Sequence, residues 1–177
     1  EKPIFQLQTH DILQRSDIFF DVFKNELRII EMTRHPIDLI ASMSLHEYGS
    51  GIGINPLLWE LAIKSKEYDI PYYAHSWIEE YLEIGKIDRI IRIVSNLSKE
   101  VKEKFNSLVE SKQNQVLFIP FEKFVTKPND YIYKLANFLD TNITSKTKKA
   151  MHKQRIPRKI NSSLRREKYN SILKEAS

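Results

Sequence analysis

Short apolar runs bounded by polar turns alternate along the chain with longer stretches in which apolar side chains recur every three or four residues. Three runs have the length and composition of buried strands: 3–8, 27–33 (Leu-Arg-Ile-Ile-Glu-Met-Thr) and 116–120 (Val-Leu-Phe-Ile-Pro). Between them the period changes to that of a helix. Pro36 suits a first helical position, and Ile37, Ile40, Ala41 and Met43 form a stripe behind it. Asn55-Pro56 predicts the start of a second helix running to about Lys66. Residues 74–83 and 88–111 predict two more, the latter with Ile91, Val94, Leu97 (or Ser98), Val101, Phe105 and Leu108 on one face. Pro128 opens the last, over 127–139, with Ile132, Leu135, Ala136, Phe138 and Leu139 turned inward. Strands alternating with long helices predict an α/β fold, a parallel sheet with helices on both faces. Such sheets bind ligands beyond the carboxyl ends of their strands. That rule singles out Thr9-His10, Arg34-His35 and Phe121-Glu122.

The length, 177 residues, predicts one domain over 1–177, and no repeat or linker divides it. The absence of cysteine excludes a disulfide scaffold, a thiolate zinc site and a cysteine nucleophile. No apolar run reaches the roughly 18–20 residues that span a bilayer. His46, His75 and His152 have no metal-ligand spacing to neighbouring carboxylates, so no metal is expected. Because the chain opens on Glu1 and passes at once into a strand-like run, an N-terminal portion is expected to be missing. Three of the 4 glycines fall at 49–53, which reads as a connector or a substrate-covering loop and lacks the Gly-Lys-Ser/Thr ending of a phosphate loop.

Charge is unevenly placed. The net charge is +5, yet residues 146–177 hold 11 Lys/Arg against 2 Asp/Glu. This basic C-terminal segment reads either as a solvated tail or as a phosphate-binding element. Arg34, at a strand's end with Pro36 opening a helix, places a guanidinium beside a helix N-terminus; both favour an anion, although Arg34 has the alternative of pairing with an acidic neighbour. His10 reads as a loop or core histidine or as a general base. Tyr72, Tyr73, Trp77 and Tyr81 either line an acceptor pocket or pack a core.

Thr9-His10, then Arg34-His35-Pro36-Ile37-Asp38, then Ser42 eight residues past that Arg, resembles the sulfotransferases that use 3′-phosphoadenosine 5′-phosphosulfate. The run from Val116 to Phe124, with Phe121-Glu122-Lys123 after the strand, resembles that family's strand ending in Tyr-Glu-Asp. The helix from Lys127-Pro128 to Phe138-Leu139 looks like the one that follows it. The resemblance covers roughly residues 1–140.

It implies the P-loop nucleoside triphosphate hydrolase-like architecture and sulfonate transfer from 3′-phosphoadenosine 5′-phosphosulfate to a hydroxyl or amine, without a metal. Arg34 and Ser42 would bind the 3′-phosphate, His10 would take the acceptor's proton, and Phe121 would lie near the adenine. Arg158 and Lys159 are the nearest match to a late Arg-Lys-Gly element on the same phosphate; the Gly is replaced by Ile160. The family's 5′-phosphosulfate strand–loop–helix has no counterpart in these residues. The implied partner is a small-molecule or glycan acceptor, with no nucleic acid expected. The competing readings are a nucleic-acid or polyanion-binding module using the basic segment, and another P-loop nucleotide transferase or kinase.

Overall fold

The computed structural model describes residues 4–46, 61–65 and 67–177. Among them run α1 (Asp17–Phe23), β1 (Ile29–Thr33), α2 (Pro36–Leu45), β2 (Ala62–Ser65), β3 (Tyr68–Pro71), α3 (Ile78–Glu83), α4 (Lys86–Ser107), α5 (Glu110–Gln113), β4 (Val116–Pro120), α6 (Phe121–Thr126), α7 (Pro128–Phe138), α8 (Ser145–Lys153) and α9 (Ser162–Glu175). The chain forms two compact units. One comprises Glu1–Thr33 and Leu97–Lys159, the other Arg34–Asn96 and Ile160–Ser177. The fold is mixed α/β with a small parallel sheet accompanied by helices.

In the first unit β1 and β4 pair in parallel, with Ile29 opposite Val116 and Thr33 opposite Pro120. Ile29 and Ile119 are fully buried, and Leu13, Phe20, Ile29 and Leu108 form the core against which Val101, Phe105 and Phe118 pack. Gln115 aligns the pair. Its carbonyl accepts from Ile29 N–H at 2.8 Å, while its side-chain amide donates to the carbonyls of Lys24 at 2.6 Å and Leu27 at 2.9 Å. Arg28 holds the far end of α7, donating to the Phe138 carbonyl at 3.2 Å and lying 5.9 Å from that residue's ring centre. In the second unit Ile40, Ile87, Ile90, Val94 and Ile172 form the core, and β2 and β3 make an antiparallel pair with Ala62 opposite Pro71.

Three expected elements differ. The run at 4–8 is no strand, and Ile4, Phe5 and Leu7 are exposed. No strand among the described residues pairs with it, and a lone strand leaves its backbone groups unsatisfied. The helix expected from Asn55 to Lys66 is replaced at 62–65 by β2, whose ladder with β3 outweighs local helical periodicity; residues 55–60 and 66 and the glycine cluster at 49–53 lie outside the described residues. The sheet content is therefore not purely parallel. Residues 88–111 divide into α4 and α5, because Leu108 and Val109 leave the helix to bury Leu108.

The Gln115 amide is nearly enclosed and joins two carbonyls 88 and 91 residues away. Gln115→Ala should lower unfolding stability by about 1–3 kcal/mol, the usual cost of orphaning buried polar groups. Urea denaturation checks this; an unchanged midpoint would show that the carbonyls are satisfied otherwise.

Candidate functional site

Helix α2 begins three residues beyond β1. Pro36 occupies its first position and has no N–H to offer. His35 is the N-cap: its Nδ1 accepts from Ile37 N–H at 3.3 Å. Arg34 stands exposed just outside this cap, and Ser42 is half-buried six residues past Pro36. The helix start is thus already partly satisfied by its own cap. An anion arriving here would rely on side-chain cations and the helix dipole more than on a row of open N–H groups.

The third helical residue, Asp38, is buried, with its side chain 12% exposed. Arg165 of α9 donates to its Oδ2 from Nε at 2.9 Å and from Nη2 at 2.7 Å, and Lys168 donates to Oδ1 at 2.7 Å. Burial pushes this carboxyl up, but hydrogen bonds from Lys168 and Arg165, reinforced by their charges, outweigh it and hold the group below its ordinary value of 3.8. Two cations on one carboxylate leave a surplus positive charge in the first turn of α2. The same contact docks α9, whose Ile172 enters the core beside Ile40. Sequence reasoning placed Arg165 and Lys168 in the basic segment without assigning them a partner. Their spacing of three residues on a helix was the available signal; the partner lay 127 and 130 residues earlier.

In the first unit the strand register pairs Thr33 with Pro120, the residues immediately before Arg34 and Phe121. Phe121 opens α6 and is half-buried. The Arg158 guanidinium lies over its ring, 5.5 Å from the centre, and Arg158 N–H donates to the Val125 carbonyl at 2.8 Å. The structure therefore brings together two residues expected at a nucleotide, Phe121 and Arg158. Lys159 is exposed beside Arg158.

His10 sits in an exposed bend and not at the end of a strand, since the run before it does not pair. Its expected place at a strand's carboxyl end is therefore corrected. Next to it, Asp11 contributes to an acidic environment. Burial first, then the Asp11 charge, push both Glu31 and Glu100 above their ordinary value of 4.5. Of the four aromatics, Trp77 and Tyr81 are core residues and not a pocket wall, while Tyr72 and Tyr73 are half-buried. Tyr81 is fully buried, and the Trp77 and Tyr81 rings meet edge-on at 5.3 Å. Arg89 covers Tyr81 at 4.8 Å and donates from Nη2 to the Leu82 carbonyl at 3.3 Å. Burial raises the Tyr81 phenol, with the Arg89 charge opposing.

Among the described residues no group of three or more His, Cys, Asp or Glu side chains is arranged to hold a metal, and no helix is long and apolar enough to cross a membrane. No family model, curated protein or solved structure matches the chain.

The charge arrangement fixes opposite pH responses. Asp38 has a lowered folded-state pKa, so its stabilisation is present above its ordinary value of 3.8 and is lost as pH falls through the lower folded value. Asp38→Asn should cost about 1–2 kcal/mol at pH 7, a magnitude reduced by the partial exposure of Lys168, and should abolish that acid limb. Glu31 has a raised value, so its contribution is present below its ordinary 4.5 and is lost as pH rises through the higher folded value. Glu31→Gln should therefore stabilise the chain at pH 7 and give no advantage at pH 4. Denaturation midpoints of both variants across pH 3–8 check the two signs.

Proposed function

We propose that the chain is part of a sulfotransferase that uses 3′-phosphoadenosine 5′-phosphosulfate, with a P-loop-like arrangement of its parallel sheet. The observation that carries the reading is the start of α2. An exposed Arg34 stands beside a helix N-terminus, and the acidic residue of its first turn is neutralised by Arg165 and Lys168. A negative carboxylate there would repel a phosphate; with two cations on it, the first turn carries surplus positive charge. Arg34 then supplies charge-assisted hydrogen bonds to the 3′-phosphate, and Ser42 a neutral donor.

The nucleotide supplies an activated sulfonate whose S–O bond to phosphate breaks with the electron pair leaving on the bisphosphate. The acceptor oxygen or nitrogen forms the new bond to sulfur and gives up its proton, for which His10 is the proposed base. Catalysis of such in-line transfer rests on positioning and on cations at the departing phosphate. Support for an adenine contact by Phe121 is its flat ring at the start of α6, with Arg158 over it. The 5′-phosphosulfate cradle has no matching Gly-Thr-Thr or Lys-Ser-Gly sequence in these 177 residues. The chain by itself is accordingly expected to bind the bisphosphate and not to turn over.

Arg34→Ala should weaken binding of adenosine 3′,5′-bisphosphate about ten- to a hundredfold, matching the roughly 1.5–3 kcal/mol of a charged hydrogen bond, and should leave adenosine 5′-monophosphate nearly unaffected. Ser42→Ala should act in the same direction by less. Calorimetry with both nucleotides decides this; equal losses for the two would remove Arg34 from the 3′-phosphate.

A further inference from the structure

A pocket of about 540 Å³ lies wholly within the first unit, lined by residues that precede β1 and β4 in the chain. Small-molecule sites have volumes of this order. Phe121, assigned above to the nucleotide, instead follows the carboxyl end of β4. The floor of the pocket is Phe20, 3% exposed, with the Lys112 ammonium over its ring at 5.0 Å from the centre. Asp17, the carboxylate whose field Lys112 shares, is already held by Lys104 through both oxygens at 2.6 Å. Asp21, Lys24, Asn25 and Ser111 stand exposed around the pocket. Among the described residues none of these four side chains forms a hydrogen bond or an ion pair.

Lys24 has an unusual backbone, with φ 48° and ψ −123°. These are the angles of the first central residue of a type II′ turn, a place that glycine takes without steric cost and a residue with a Cβ does not. The conformation is held from two directions. The Lys24 N–H donates to the Phe20 carbonyl, and the Lys24 carbonyl accepts from the Gln115 side-chain amide at 2.6 Å. The fold thus carries backbone strain at the position that presents an ammonium to the pocket. Glycine would serve the turn better, so the lysine is there for its side chain.

We propose that this pocket binds a monosaccharide phosphate, at a site separate from the proposed sulfonate transfer and independent of that reading. Lys24 and Lys112 take the phosphate through charge-assisted hydrogen bonds. Asp21 accepts from sugar hydroxyls, and Asn25 and Ser111 donate to and accept from them. Three observations select this ligand. Two lysines against one aspartate give the lining a surplus positive charge, so a net anion is favoured over an amino-acid zwitterion, whose ammonium would face both lysines. A bare anion would meet the Asp21 carboxylate with nothing to offer it, whereas a hydroxylated one gives it donors. The Phe20 ring is buried and already covered by Lys112, so no open flat face remains for stacking a nucleobase.

The test is calorimetry on the full chain with glucose 6-phosphate as the probe, beside glucose, inorganic phosphate and gluconate. Glucose 6-phosphate should bind more tightly than the other three. Lys24→Gly should weaken it about tenfold or more, the loss of one charged hydrogen bond, without lowering the thermal unfolding midpoint. Lys24→Gln, which keeps a side chain of similar length and the same strained turn, should lose binding to the same extent. In Asp21→Ala the preference for glucose 6-phosphate over inorganic phosphate should shrink about tenfold, because the hydroxyl acceptor is gone. No binding of glucose 6-phosphate would overturn the proposal, as would unchanged affinity in the Lys24 variants. Inorganic phosphate binding as tightly as the sugar phosphate would overturn the sugar assignment, and tighter binding of gluconate would overturn the phosphate.

Discussion

A carboxylate in the first turn of a helix is ordinarily favourable for that helix, because it complements the partial positive charge of the N-terminus. It is unfavourable for any anion that would bind at the same place. In this chain Asp38 is taken out of that competition by Arg165 and Lys168, which spend three hydrogen bonds on its two oxygens. The arrangement does two things together. It docks α9 against α2, adding Ile172 to the core of Ile40, Ile87, Ile90 and Val94. It also converts the start of α2 from a self-neutralised end into one with charge to spare. The proposed 3′-phosphate role of Arg34 depends on that second consequence.

The two ends of the basic C-terminal segment therefore serve different physical purposes. Arg165 and Lys168 are bound to a carboxylate of their own unit, and their charge is largely internal. The lysines of α8 belong to the other unit and remain in solvent. Composition alone cannot separate these cases, since both read as a basic run. What separates them is whether the opposite helix face has apolar positions to bury. Helix α9 contributes Ile172 to a core, while α8 buries only parts of Thr147 and Met151.

Elements with strong local signals were legible in the sequence. β4 has the predicted bounds, and β1 begins two residues later than Leu27 because Leu27 is held by the turn before it, donating to Lys24. Proline at the first helical position located α2 and α7, and Ile132 and Ala136 are buried as their spacing predicted. The failures share a cause. The apolar run at 4–8 had strand composition but lacked a neighbour, and 62–65 had helical spacing but gained one in β3. Strand formation is decided by a partner elsewhere in the chain, which local periodicity does not contain. The site divided in the same way. Arg34 and Ser42 were singled out by their spacing around Pro36, whereas the contact of Arg158 with Phe121, across 37 residues, carried no sequence signal. The clamp on Asp38 was hidden because its meaning lies in a contact across more than 120 residues.

The central claim is that neutralising Asp38 makes the start of α2 receptive to a phosphate. It is tested most directly by removing the neutralising charges and leaving Arg34 in place. The affinity of Arg165→Gln/Lys168→Gln for adenosine 3′,5′-bisphosphate, measured by calorimetry under conditions where circular dichroism shows the variant folded, should fall about tenfold, with little change for adenosine 5′-monophosphate. Wild-type affinity for the bisphosphate in that folded variant would contradict the account.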